Sequence, residues 1–280
     1  MTHRIGRLAA FCVFGWFALG APGDGAEPPK AEAPAGVLTP PPASQFVVIP
    51  LRLHVLSATD LPEADCRLTD DDLKRILRKA NGIWHQAGVH WGLEAVVREP
   101  AARQDRFREL KGEGGADRLG LFRFLIPDDS RRTDGLHVFY VHELPVNGVW
   151  MGSNFAIVKE TAGLRKVEGG IDEPIPRVTA HELGHALGLN HRQDRTNLLA
   201  SGTTGTSLNA EEVERSRGKA RGIKGSLDVE TLSKKAVEAE ASGDRERAVR
   251  LWTWLSEIPG GDEHAKTPLE RLRTAEPAKS

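Results

Sequence analysis

The sequence predicts an α+β, α/β-like layer structure. Three observations carry that expectation. Apolar, β-branched runs flank an amphipathic helix in the first half, further strand-like runs precede a histidine-bearing helix, and the C-terminal part returns to helical spacing. The 280 residues are 39% hydrophobic and 28% charged, enough for a real core. That balance excludes collagen-like, coiled-coil and wholly disordered chains. Thirty-eight basic residues against thirty-nine acidic ones leave a formal charge of -1, so no nucleic-acid partner is expected. The two cysteines, Cys12 and Cys66, exclude a disulfide scaffold.

Residues 1–26 read as a signal peptide. His3, Arg4 and Arg7 form a basic start, residues 8–19 an apolar run, and residues 20–26 a small-residue, helix-breaking stretch. The apolar run is shorter than the ~20 residues of a spanning helix. After its removal no stable membrane span is expected, and the protein is expected to be secreted or periplasmic; an uncleaved anchor or a buried helix is the alternative. Residues 27–45, with Pro28, Pro29, Pro34, Pro40, Pro41 and Pro42, read as a stiff Pro/Ala-rich linker.

Residues 46–56 (FVVIPLRLHVL) predict a strand. Thr69 caps a helix opening on Asp70, Asp71 and Asp72, whose charges suit the positive helix end. Its apolar face is Leu73, Ile76, Leu77, Ala80, Ile83 and Trp84, and Gly88 ends it. Residues 89–97 return as a strand, whereas 100–111 are charged and poorly patterned. Residues 119–126 and 136–141 predict strands, the second apolar enough to be central. Residues 149–158 predict another, at an edge, which either pairs with an extended peptide or is inert. Gly218 to Gly225 punctuate a basic break, after which 229–242 and 245–258 show helical spacing. Ala236, Ala239, Gly243, Asp244, Ala248 and Trp252 resemble one tetratricopeptide unit. One such unit cannot bury its own face, so a helical hairpin packed on the main domain is expected, with an independent interaction module as the alternative.

The stretch richest in chemistry is His181-Glu182-Leu-Gly-His185-Ala-Leu-Gly188-Leu-Asn-His191. Four residues advance a helix by ~400° and ~6 Å, so His181 and His185 share a face one turn apart. Two imidazoles so placed reach one metal ion at ~2.0–2.1 Å. Glu182 lies about 100° away around the helix, poorly placed as a third ligand but close enough to hold a metal-bound water. Gly188 can adopt the left-handed conformation that ends a helix, letting His191 return to the third corner. A helix continued through Gly188 would carry His191 ~9 Å beyond His185 along the axis. Three neutral histidines leave a fourth zinc position for water, the pattern of a catalytic site. Glu182 is then the general base that takes the water's proton and, as acid, passes it to a leaving amine. The five-residue core arises by chance in roughly 1% of chains this long, and the added glycine and histidine lower that to roughly a few per hundred thousand.

The chain here resembles the metzincin clan of zinc endopeptidases, whose signature is H-E-x-x-H-x-x-G-x-x-H. Asn81-Gly-Ile-Trp84-His-Gln-Ala-Gly-Val89 looks like the end of the first helix in secreted, matrixin-like or reprolysin-like members. Residues 197–200, 205–208 and 210–215 look like the stretch holding the clan's turn and last helix. The resemblance covers about residues 46–217. It implies a metzincin-type zincin: a twisted mixed sheet above the active-site helix, an edge strand over the cleft and a small C-terminal subdomain. A catalytic domain over 46–220 and a helical extension over 221–280 follow. The clan's turn carries a methionine beneath the zinc, yet no methionine follows Met151, and Leu199 is the candidate for that place. Leu for Met is close to volume-conserving. Arg192 matches no subfamily residue after the third histidine, and Tyr140, the only tyrosine, lies too far upstream to serve as a ligand after the turn.

Weaker candidates have plain alternatives. Cys66 is a zinc latch or a buried thiol. His137 and His142 are a second metal site or packing residues. Asp128, Asp129 and Asp134 bind calcium or form a solvated turn. The function expected is a secreted, Zn2+-dependent endopeptidase acting on a peptide or protein substrate; the alternative is a catalytically weak or inactive scaffold using the C-terminal helix pair.

Overall fold

The first strand, β1 (Val47–Ser57), is buried on both faces and forms the spine of the molecule. The structure is a computed structural model that describes residues 38–112 and 117–274; the expected signal peptide and most of the expected linker lie outside them. Val47, Ile49, Leu51, Leu53 and Val55 alternate onto one face and join the main core. Helix α1 (Asp70–Trp84) opens with a capping box in which the Thr69 side chain accepts from the Asp72 N–H, while the Asp72 carboxylate accepts from the Thr69 N–H. It ends in a short 3-10 turn at His85–Ala87, and Gly88, at φ +64°, turns the chain into β2 (Val89–Pro100), parallel to β1.

The charged, poorly patterned stretch after β2, to which the sequence assigns no element, forms a helix, α2 (Gln104–Gly112). Phe107 is its one buried residue, and surface ion pairs such as Arg106–Glu109 cover the rest, leaving little apolar period to read. Residues 119–126 are not a strand either: Gly120–Leu125 is a 3-10 turn whose Phe122 and Leu125 meet a second core. A short apolar run has no period that separates strand from helical turn. Strand β3 (Leu136–Val141) is central, as expected, lying between β1 and β5 (Phe155–Lys159). The strand expected over 149–158 divides into β4 (Gly148–Trp150) and β5, joined by a tight turn with Gly152 and Ser153 at positive φ. The order is β2-β1-β3-β5-β4, parallel except for β4, the antiparallel edge.

Helix α3 (Pro174–Ala186) and helix α4 (Ala210–Arg221) follow, the latter running through Gly218. After it β6 (Leu227–Asp228) pairs with the start of β1. The C-terminal part holds three helices rather than a hairpin: α5 (Val229–Ala241), α6 (Arg245–Ser256) and α7 (Asp262–Thr274). Pro268 and many charges hide α7 in the sequence, yet Ala265, Leu269 and Leu272 complete a third core with Val48 of β1 and Phe46 just before it.

That third core rests on a close approach. A Cβ at Gly92 of β2 would lie 2.5 Å from the Trp254 ring of α6, and the Trp254 indole N–H donates to the Leu93 carbonyl at 3.0 Å. Trp254→Ala is expected to cost roughly 3–5 kcal/mol, read as a lower urea midpoint; an unchanged midpoint would mean that α6 does not dock this way. Among the described residues no helix is long and apolar enough to cross a membrane.

Candidate metal centre

The N-terminal half of α3 is set by Pro174 in its first turn and by Glu173 before it, whose carboxylate pairs with Arg75 and Lys79 of α1. The Trp84 indole N–H donates to the Ala180 carbonyl at 3.1 Å, tying α1 to α3 at the level of the motif. Asn81 holds β2 by both its amide groups, at the Trp91 N–H and carbonyl. The Gln86 amide donates to the Thr206 carbonyl and accepts from the Leu208 N–H. Asn81, Trp84 and Gln86 thus connect the first helix to the elements that carry the site.

Helix α3 stops at Ala186. Gly188, at φ +77°, donates to the His185 carbonyl, and the Leu189 N–H reaches back to the Gly184 carbonyl at 3.0 Å. The reversal brings His191 back to the helix. His185 Nε2 lies 3.2 Å from His181 Nε2 and 3.2 Å from His191 Nε2. Among the described residues this is the group of three side chains whose ligand atoms gather, within 4.8 Å of one another. Two nitrogens on a tetrahedral zinc at ~2.05 Å stand about 3.3 Å apart, so the spacing fits such an ion.

The outer nitrogens decide the tautomers. His181 Nδ1 donates to the Leu198 carbonyl at 2.8 Å and His185 Nδ1 to the Leu189 carbonyl at 2.8 Å. A carbonyl only accepts, so both Nδ1 atoms carry the proton and both Nε2 atoms present lone pairs. Lone pairs facing each other at 3.2 Å are not a hydrogen bond; they fit a shared cation. Burial and the nearby Arg177 charge pull His181 down to about 3, and burial lowers His185, so both rings are neutral at physiological pH.

Glu182 faces the same cleft, a space of about 740 Å³. Burial pushes its carboxyl up to about 8, opposed by the Trp150 N–H that donates to it and by the Arg177 charge. The fit against the edge strand is tight: a Cβ at Gly148 would come within 2.6 Å of Val178 and 2.9 Å of the Glu182 Cγ. The absence of a side chain there lets β4 lie directly over the carboxylate.

Beneath the helix, Leu199 is fully buried, and a Cβ at Gly184 would meet its Cδ1 at 3.2 Å. The segment around it is held by side chains. Asn197 donates to Glu212, which also accepts from Arg192, the residue after His191. Arg177, one turn before His181, sends Nε to the Gly205 carbonyl and Nη2 to those of Asn197 and Ala200. Leu199→Met is expected to cost under ~1.5 kcal/mol and to leave zinc stoichiometry unchanged, checked by thermal unfolding and metal analysis.

Sequence reading did not single out Arg177 or Trp150, and it placed Gly148 only beside the expected edge strand. Arg177 left a signal, a charge four residues before His181 and therefore on the same helix face. Trp150 left none, and nothing marked Gly148 as lying over Glu182, because both roles depend on where β4 lies.

The weaker candidates lie elsewhere. The Cys66 thiol donates to Glu160 at 3.3 Å and burial pushes it up, so it is no latch at the histidines. His137 pairs with His54 at 3.0 Å, and His142 with Glu160. Asp128 pairs with Arg131, Asp129 with Arg132 and Asp134 with Lys224. The Tyr140 hydroxyl lies 3.1 Å from the Thr179 hydroxyl, inside the core.

No protein-family model and no curated protein matches the chain. Some solved structures do. The archaemetzincin AmzA of Methanopyrus kandleri shares 16% identity over 64% of this chain and 98% of that one, at a TM-score of 0.38. Metalloproteinase-II of Bacteroides fragilis shares 12% over 69% of this chain and 58% of that one, at 0.37. A chain of a chaperone–substrate complex shares 13% over 64% of this chain, at 0.37; the match spans only 35% of that longer chain.

Proposed function

We propose that this protein is a zinc-dependent endopeptidase of metzincin type. The observation that carries the reading is the convergence of His181, His185 and His191, with two outer nitrogens tied to carbonyls, beside a carboxylate in an open cleft. His181, His185 and His191 would hold the ion. When bound, it would acidify a water and polarise the scissile carbonyl. Glu182 takes the water's proton and delivers it to the amine that leaves. The edge strand β4, antiparallel to β5, is placed to pair with an extended peptide. Leu199 takes the place of the turn methionine.

The proposed organisation is a signal peptide over 1–26, which delivers the protein outside the cytoplasm, a linker over 27–45, a catalytic part over 46–220 and a helical extension over 221–280. A scaffold role for that extension has less support, since its apolar faces are spent on the third core and on β1. The deciding experiment combines metal analysis with digestion of an unfolded protein. One zinc per chain and chelator-sensitive cleavage are expected; bound zinc without cleavage would overturn the reading.

A further inference from the structure

The cleft carries a guanidinium whose hydrogen bonds go to carbonyls and to no carboxylate. Apart from the histidines, the ionisable side chains among its described lining residues are Glu182 and Arg177. Arg177 is 1% exposed, and a guanidinium keeps its proton at neutral pH. Its Nε and Nη2 hydrogens go to the carbonyls of Gly205, Asn197 and Ala200, and no carboxylate receives them. Its Nη1 stands 3.2 Å from His181 Nδ1, which already donates to Leu198 and offers no lone pair. Carbonyl dipoles solvate a guanidinium but leave its net charge uncancelled. In a cleft with low-dielectric walls, here Leu164 and Val178, that charge acts on whatever enters. Glu182 offsets it in part, but a divalent ion on the three histidines would return the cleft to a positive balance.

We propose that the cleft, whose lining includes Arg177, Val178, Ser201 and Gly202, selects substrates with an Asp or Glu side chain next to the scissile bond, with Arg177 as the specificity-determining residue. This rests on the peptidase reading above. The charge is satisfied enough by carbonyls to stay folded and bare enough of carboxylates to favour an acidic occupant over its neutral isostere.

The test uses the zinc-loaded full chain and internally quenched peptides. Each of the two residues flanking the cleaved bond is set in turn to Glu, Gln, Leu or Lys. At one of the two positions, kcat/KM for Glu is expected to exceed that for Gln by about tenfold, and that for Lys by more. Arg177→Met is expected to slow all peptides, because the turn loosens, and also to bring the Glu-to-Gln ratio toward one; Arg177→Lys should retain part of it. A uniform slowing with the ratio intact would make Arg177 merely structural and overturn the inference. Equal rates for all four residues in the natural protein would overturn it while leaving the peptidase reading standing, and need no variant to fold. Absence of any cleavage with zinc bound would sink both.

Discussion

Replacing Glu182 with Gln is expected to leave the fold and one bound zinc in place while lowering kcat by roughly two to four orders of magnitude. Gln keeps the volume beneath Gly148 and an oxygen for the Trp150 N–H, so little reason exists for β4 to shift. What disappears is the atom proposed to accept a proton. Thermal unfolding and metal analysis report the first half, and steady-state turnover of a quenched peptide reports the second. Turnover at the natural rate would remove Glu182 from the mechanism and with it the assigned chemistry. The outcome is specific to this carboxylate: Glu212, also buried, serves Asn197 and Arg192, and its loss would loosen the turn instead.

The second large effect is expected from His185→Ala. His185 Nε2 is 3.2 Å from both partners, so its removal takes out the shared corner of the cluster. The variant should neither retain zinc through gel filtration nor cleave peptide. In the natural protein, zinc at a hundred times its dissociation constant adds about 2.7 kcal/mol to stability, seen as a higher melting temperature. In the variant the melting temperature should no longer respond to zinc. A natural protein whose melting temperature ignores zinc and chelator alike would overturn the metal centre itself.

Much of the site was legible because it is local. His181, His185 and Gly188 lie within eight residues, and helix geometry together with one left-handed glycine dictates how they meet. The capping box at Thr69 and Asp72 was half visible for the same reason, since Thr69 and the three acids that follow mark a helix start. Segments that depend on a partner were misread. Residues 119–126 became a 3-10 turn, since Phe122 and Leu125 have a core to enter but no strand beside them. Helix α7 was missed because its apolar residues find their partners on α5, α6 and the start of β1, far away along the chain.

The local order of residues determined the candidate metal-binding motif, the helix that carries it, the bend after it and the central strand, because each follows from spacing along the chain. Only the tertiary structure decided that Arg177 holds the turn beneath the histidines, that Gly148 lets the edge strand lie on Glu182, and that Trp254 seats the C-terminal helices over Gly92. Those contacts join residues 28, 34 and 162 positions apart, as with Arg177 and Gly205, Gly148 and Glu182, and Gly92 and Trp254. Side chains that distant meet through packing of whole layers, which no period in the sequence records.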